Sequence, residues 1–246
     1  MPVTGRYIAR RIRRGVATYM ATYVMTVQNE VLPAFAELNT RSDQIAKTEY
    51  DRLSSQPAPI DFDGDLSSFA EAATEKGQIY YNTMSALRRT SLTLYSVGLF
   101  HLLEQQLADL CRDGSFGLEP PKESTLETVV TWYKKNFRVD LRTLATWKKI
   151  DELRLVANTA KHGHGASSRQ LRKLRPDLFQ DPELRELLPD FPEMWSAAHV
   201  RLPLAGQDFF VSDEAFAEYG AAAFELVNEL SQHFEARADE HFFTDA

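Results

Sequence analysis

Apolar residues near the start of the chain recur at three- and four-residue steps, which places them on one face of an α-helix. This stripe predicts a helix from about Tyr7 toward Leu38, kinked at Pro33. Residues 40–52 continue a helical pattern, and residues 54–65 carry two prolines, a glycine and three aspartates, as in a loop or linker. The stripe consists of Ile8, Ile12, Val16, Tyr19, Tyr23 and Val27.

A second long helix is predicted from Ser68 to about Cys111. Ser68 and Glu71 have the spacing of a capping box, and Asp113-Gly114 follows as a stop signal. The residues expected on its buried side are Met84, Leu87, Leu94, Leu102 and Leu103.

Shorter elements follow the two long helices. Capping boxes at Ser124 and Ser167 predict helices from Ser124 through Phe137 and from Ser167 to just before Pro176. Another helix is expected over residues 141–162, ended by Gly163, and a last one over 213–238. Residues 181–193 are expected to be irregular, and strands at 200–204 and 208–211 flank a turn.

These elements predict one mainly all-α domain over residues 1–246. Its architecture is a helical bundle built on two long antiparallel helices, with a small C-terminal β-hairpin. Residues 1–60 hold the N-terminal long helix and linker, 66–175 the helical core with the candidate site, and 176–246 the irregular segment, hairpin and last helix. A composition of 43% apolar and 26% charged residues agrees with a folded globular chain.

Cysteine usage and hydropathy bear on location. Cys111 is the single cysteine, so no intrachain disulfide can form, which favours a reducing compartment such as the cytoplasm. No apolar run reaches the length of a transmembrane helix. Arginines between Arg6 and Arg14 precede an apolar run as in a leader peptide, but no cleavage site follows, so we interpret the segment as a true helix. A helix lying on a membrane surface is the alternative.

Charge is distributed unevenly. The chain carries −7 overall, yet residues 134–175 contain twelve cations against three acids, a net charge of +9 that leaves −16 for the remainder. This asymmetry favours an anionic partner such as RNA, the alternative being a solvated face paired with acids elsewhere. The cations expected to contact RNA are Lys148, Lys149, Arg169, Arg172, Lys173 and Arg175.

Four polar residues near the end of the predicted 141–162 helix could carry chemistry: Arg154, Asn158, Lys161 and His162. At 100° per residue they lie within roughly 100° of one another, on the side that also bears an apolar stripe, so partial burial is expected. His162 sits at the helix C-terminus, where the helix dipole favours the protonated ring. The helix starting at Ser167 offers N–H groups to an anion. Together these groups could surround one phosphate and transfer protons during RNA cleavage.

The other histidines give weaker signals. His101 lies among apolar residues and is expected to be a satisfied core histidine. His164, between two glycines, is expected to be a loop residue. Phosphate-binding glycine loops, H-E-x-x-H and paired cysteines do not occur, so no metal and no cofactor is predicted.

The segment from Asn158 to Gly163, at the end of a helix in an all-α chain, resembles the HEPN superfamily. The resemblance implies a helical bundle, often a homodimer, of a kind that includes metal-independent ribonucleases of toxin–antitoxin and phage-defence systems. The family signature is an arginine followed after four to six residues by a histidine. His162 matches the histidine and Asn158 the polar residue after the arginine, whereas the arginine position falls on Ala157. Arg154 or Lys161 would then substitute, or the site is inactive.

Two hypotheses therefore stand. The first is an RNA-binding or RNA-cleaving effector, a homodimer with His162 as acid or base, Arg154 and Lys161 on the phosphate and Asn158 orienting it. The second is an inert HEPN-like module that binds a partner protein, such as an antitoxin, or a ligand; Ala157 favours it.

Overall fold

Helices form nearly all of the regular structure. The computed structural model describes residues 3–56, 66–196, 200 and 208–243. Two short strands, β1 (Val3–Thr4) and β2 (His241–Phe243), accompany the helices. The expectation of a mainly all-α fold is confirmed. The α-helices of this part of the chain are α1 (Gly5–Ile12), α2 (Thr18–Thr26), α3 (Leu38–Ser54), α4 (Ser67–Cys111), α5 (Leu126–Asn136), α6 (Trp147–His162), α7 (Ala166–Leu174), α8 (Pro182–Leu187) and α9 (Asp213–Glu235).

The N-terminal helical stretch contains two π-helical turns, Arg13–Ala17 before α2 and Val27–Val31 after it. A π turn takes up more residues than an α turn, so it shifts the buried face along the sequence. As a result Met20 is fully buried, whereas Tyr19, predicted on the buried stripe, is 58% exposed. The stretch ends in a 3₁₀ turn, Leu32–Phe35, and Glu37 in the left-handed region (φ 57°) separates it from α3. The single helix predicted from Tyr7 to Leu38 is therefore interrupted.

Helix α4 is the longest element, and its 45 residues extend about 68 Å at 1.5 Å per residue. Its N-terminal half packs antiparallel on α3. Ser42 donates a hydrogen bond to the Gly77 carbonyl oxygen (2.8 Å), and a Cβ on Gly77 would lie only 2.8 Å from the Ser42 carbonyl oxygen. Glycine at this position therefore permits the close approach of the two helices.

The C-terminal half of α4 packs antiparallel against the N-terminal helices. The Tyr23 hydroxyl donates to the Tyr95 carbonyl oxygen at 3.0 Å, and Arg11 Nε lies 3.0 Å from an Asp113 carboxylate oxygen. Tyr23 therefore meets the middle of α4, and the earlier Arg11 meets Asp113, two residues beyond the end of α4, so the N-terminal helices and α4 run in opposite directions. Burial of α4 differs from the prediction. Leu103 is buried, but Leu87 and Leu94 are 50% and 42% exposed.

Helix α9 completes the core. It runs antiparallel to α1 and α2, with Gly220 against Val24 and Ser231 within 3.4 Å of the Ala9 carbonyl oxygen. Its predicted N-terminus at Asp213 is confirmed, and Ser212 caps it by accepting from the Ala215 N–H. The helix ends at Glu235, three residues before the predicted end at Ala238.

The three predicted capping boxes are wrong, because each helix begins at a neighbouring residue. Helix α4 starts at Ser67, with Leu66 at the N-cap position and no side-chain cap. Helix α5 is capped by Thr125, whose hydroxyl accepts from the Thr128 N–H. At α7 the Ser168 hydroxyl, not that of Ser167, accepts from the Gly165 N–H at 2.9 Å.

The helix predicted over 141–162 also starts later. Residues Leu141–Thr143 form a 3₁₀ turn, and the α-helix begins only at Trp147. Gly163, with φ 67°, ends it as predicted.

The two-stranded antiparallel sheet joins the ends of the chain, where β1 pairs with β2. The hairpin predicted at 200–204 and 208–211 lies partly outside the described residues, since 201–207 are not described. Residues 209–211 are not a strand. Instead, the Phe210 N–H donates to the Leu178 carbonyl oxygen at 2.7 Å, which ties this segment to the turn after α7.

Candidate functional site

Helix α6 is enclosed on most of its circumference. Its core-facing residues are buried, among them Ile150, Leu153 and Val156. The only accessible strip along its C-terminal half, within the part of the chain that the structure describes, is polar. Arg154, Asn158 and Lys161 are half-buried, and His162 is exposed at the last turn. The four residues singled out from the sequence thus line one strip of the helix surface.

Ala157 lies one helical turn from both Arg154 and Lys161, on the inward edge beside the polar strip, and has no exposed surface. An arginine at this position would point into packed apolar residues and leave its charge unpaired there. The arginine position of the HEPN pattern is therefore not on the polar strip. Within α6, Arg154 is the arginine that reaches that strip, and its Nε donates to Asp151 Oδ1 at 2.8 Å.

Lys161 connects α6 to α4. Its Nζ lies 3.0 Å from Nε2 of His101, and Nδ1 of the same ring lies 3.2 Å from Oε2 of Glu104. The other oxygen of Glu104 accepts the Leu126 N–H at 2.7 Å, at the first turn of α5. One continuous chain of contacts therefore joins α6, α4 and α5.

These contacts define the protonation pattern of the neutral His101 ring. A carboxylate only accepts hydrogen bonds, so the ring proton sits on Nδ1 and points to Glu104. Nε2 then carries a lone pair, and the Lys161 ammonium donates to it. An imidazole held in this way presents a basic nitrogen to whatever displaces the ammonium.

Sequence reasoning missed His101 and Glu104. His101 was expected to be a core histidine, but its side chain is 37% exposed. The available signal was the spacing of His101 and Glu104, three residues apart on a helix and hence neighbours on one face. The contact with Lys161 spans 60 residues and has no local signature.

A cavity of about 450 Å³ opens between α5 and α6. Leu126, Val130 and Trp147 form its apolar part. Two ion pairs border it: Arg154 with Asp151, and Arg142 with Glu127 at 2.6 Å. Arg142 holds the pKa of Glu127 below its ordinary value, mainly through the hydrogen bonds between them. Arg154 thus belongs both to the polar strip and to this cavity.

The basic segment does not form one surface. Within the described part of the chain, at least six of the cations between residues 134 and 175 pair with carboxylates, several from distant elements. Arg138 pairs with Glu240, and Lys149 with Glu218 of α9. Acids from outside residues 134–175 pair with at least four of these cations, Arg138, Arg142, Lys149 and Arg175, so the alternative of acids supplied from elsewhere in the fold accounts for at least a third of the twelve. The six are Lys134, Arg138, Arg142, Lys149, Arg154 and Arg175.

Glu152 is the centre of the largest of these networks. One of its oxygens accepts hydrogen bonds from Tyr219, Lys149 and Arg175 at 2.8, 3.1 and 2.7 Å. Burial disfavours the charged carboxylate, but the three donors outweigh it and hold the Glu152 pKa below its ordinary value. Two cations predicted to bind RNA, Lys149 and Arg175, are therefore engaged in structural contacts away from the polar strip.

The remaining predicted RNA contacts divide into two kinds. The Arg172 guanidinium stacks over Phe179, 4.1 Å from the ring centre. Lys148, Arg169 and Lys173 are exposed, and no ion pair is found for them among the described residues. Arg169 and Lys173 are one turn apart on α7, so these two exposed cations share one face of that helix.

No helix in the described ranges is long and apolar enough to cross a bilayer. Within the same ranges, no group of three or more histidine, cysteine and acidic side chains is arranged to hold a metal ion. Comparisons of the chain with protein-family models, with characterised proteins and with solved structures find no match.

Proposed function

We propose that this protein is a HEPN-like effector that binds RNA and cleaves it without a metal ion. The observation that supports the proposal best is the contact between Lys161 of α6 and His101 of α4. It brings together an imidazole, an ammonium and a carboxylate, and His162 follows Lys161 directly in the chain. Phosphodiester cleavage needs a base, an acid and positive charge, which His101, His162 and Lys161 would supply.

The proposed reaction starts when an RNA phosphate takes the Lys161 ammonium as its counterion. Nε2 of His101 is then free to remove the proton from the adjacent 2′-OH. The 2′ oxygen attacks phosphorus, and a bond forms between them as the bond from phosphorus to the 5′ oxygen breaks. His162 gives its proton to the leaving 5′ oxygen. The products are a 2′,3′-cyclic phosphate and a 5′-OH end.

Positive side chains would stabilise the charge that develops on the phosphate. Lys161 and Arg154 lie seven residues apart on α6, about 10 Å along the helix axis. Lys161 would contact the reacting phosphate and Arg154 a neighbouring one, and Asn158 between them would orient the strand. Arg169 and Lys173 would extend the binding surface.

The direct test is RNA cleavage by the purified protein in EDTA. Wild-type protein is expected to produce cyclic phosphate ends, and His162→Ala to lower the rate about 10²- to 10⁴-fold. His241→Ala, which removes another exposed histidine at the far end of the chain, is the matched control and should retain activity. Equal rates for wild type and His162→Ala would remove His162 from the mechanism.

The proposal includes a homodimer with a toxin or phage-defence role, as the HEPN resemblance implies, and a cytoplasmic location, which the single cysteine favours. Sedimentation of the purified protein tests the dimer. A single species at the mass of one chain contradicts it.

A second candidate function is an inert helical module that binds a partner protein. The buried Ala157 favours it, as do Ile79 and Leu87, which are 58% and 50% exposed on α4. This function predicts intact RNA and a specific complex with a protein such as an antitoxin. RNA cleavage that depends on His162 argues against it.

A further inference from the structure

The cavity between α5 and α6 combines an apolar inner part with a charged border. Its inner part is apolar: Leu126 and Val130 are buried, and Trp147 is half-buried. Its border carries two arginines and two carboxylates. A pocket with an aromatic wall and a small number of converging polar groups suits a planar ligand with polar edges. Its volume of about 450 Å³ is ample for one nucleobase.

The polar groups form two donor–acceptor pairs at the border. Arg142 Nη2 lies 2.6 Å from both oxygens of Glu127, and Arg154 Nε lies 2.8 Å from Asp151. The hydrogen bonds between Arg142 and Glu127 are the main cause of the lowered pKa of Glu127 and of the raised pKa of Arg142. The other pair adds to both shifts. Arg154 lowers the pKa of Glu127 and Asp151 raises the pKa of Arg142, so the two pairs interact with each other. Glu127 is 75% exposed and Arg142 44% exposed, so their pair is easily exchanged for contacts with a ligand.

We propose that this cavity binds an unpaired guanine base. Guanine presents two adjacent N–H donors, N1–H and the 2-amino group, which match the two oxygens of the Glu127 carboxylate. Its O6 and N7 are acceptors, which match the arginines. Adenine and cytosine place an acceptor where guanine has N1–H, and a carboxylate repels it. Trp147 provides the stacking surface that unpaired bases use in proteins.

The position of the cavity gives it a role beside the cleavage site. Arg154 lines the cavity and lies two helical turns from Lys161 on the same strip of α6. A short stretch of single-stranded RNA could therefore place a guanine in the cavity and a phosphate between Lys161 and His101. This role in choosing the cleavage position rests on the proposed function, whereas guanine binding itself does not require cleavage.

The test measures binding of 5′-GMP and 5′-IMP to the full chain by calorimetry, since the two differ only by the 2-amino group. GMP is expected to bind about tenfold more tightly than IMP, as expected for hydrogen bonds to a charged acceptor. Glu127→Gln should abolish this difference because an amide cannot accept both protons. Glu235→Gln, which removes an exposed carboxylate paired with Arg13, is the matched control and should preserve it.

Trp147→Leu provides an independent check on the site. Loss of stacking should weaken GMP and IMP alike by about tenfold and leave their ratio unchanged. Equal affinity for GMP and IMP overturns the inference, as does a preference that survives Glu127→Gln. A GMP preference in a protein that leaves RNA intact keeps the inference and removes the proposed nuclease. Cleavage of RNA without a preference for GMP keeps the proposed nuclease and overturns the guanine inference.

Discussion

Nζ of Lys161 lies 3.0 Å from Nε2 of His101, so the end of α6 and the middle of α4 meet through an ammonium and an imidazole. Both side chains are half-buried. Structural lysines more often pair with carboxylates, as Lys134 does with Asp140 at 2.8 Å. A lysine turned toward a basic nitrogen is a cation that an incoming phosphate can recruit, and the proposed cleavage uses this arrangement.

Removal of Lys161 should weaken RNA binding in a salt-dependent way. Lys161→Met deletes one phosphate contact, so the slope of log K against log salt should become shallower by about one. Lys134→Met, which removes an exposed lysine that already pairs with Asp140, should leave the slope unchanged. Filter binding of a short single-stranded RNA at several salt concentrations measures the slope for both variants. An unchanged slope for Lys161→Met argues against a phosphate contact there.

Glu104 should act as a positioning residue. Glu104→Gln keeps an oxygen for the Leu126 N–H but loses the carboxylate that holds the His101 ring. Cleavage should therefore fall about 10- to 100-fold, the range seen when a partner that orients a functional histidine is removed. The nitrogen NMR signals of His101 should at the same time change toward a mixture of tautomers. Glu240→Gln, near His233 and Arg237, is the control. Unaltered His101 signals exclude the positioning role.

The Glu152 network should contribute pH-dependent stability. Its folded-state pKa lies below the ordinary value of 4.5, so the contribution is present above that pH and is lost as the pH falls. At pH 7, Glu152→Gln should lower the free energy of unfolding by about 2 kcal/mol, because Arg175 and Lys149 lose their charged partner.

Urea unfolding of wild type and Glu152→Gln at pH 7 and at pH 3.5 measures this contribution. The difference between the two proteins should shrink at the lower pH. A constant difference across this range means that the carboxylate charge is not what stabilises the network.

Cys111 should be chemically inert in the folded protein. Its side chain is 1% exposed, and burial raises the pKa of the thiol to about 12. Reactivity requires both access and thiolate, and Cys111 has neither at neutral pH. A colorimetric thiol reagent should therefore react in urea but not in native buffer. Rapid reaction of the native protein contradicts the burial of this residue.

The sequence could predict features that depend on local chemistry. Gly163 ends α6 because only glycine adopts its φ of 67° without strain. The polar strip on α6 follows from helical periodicity alone. Likewise, α4 begins one residue from its predicted start, and α9 begins at its predicted start, Asp213.

Features that depend on distant parts of the chain could not be predicted. The partner of Lys161 lies 60 residues away, and one partner of Lys149 lies on α9, so a count of local charges overstated the open basic surface. The π turn at Arg13–Ala17 shifts burial from Tyr19 to Met20, an effect that a fixed period of 3.6 residues misses. The burial of Ala157, in the arginine position of the HEPN pattern, also depends on the elements packed around α6 and could not be predicted from the sequence of α6 alone.

The most direct test of a site shared between α4 and α6 is RNA cleavage in EDTA by His101→Ala, compared with His233→Ala. Both variants remove a half-buried histidine whose Nε2 contacts a cation, Lys161 for His101 and Arg237 for His233, the latter at 3.2 Å. His101→Ala is expected to lose at least about 10²-fold in rate, while His233→Ala stays close to wild type. Full activity of folded His101→Ala would contradict a site shared between α4 and α6.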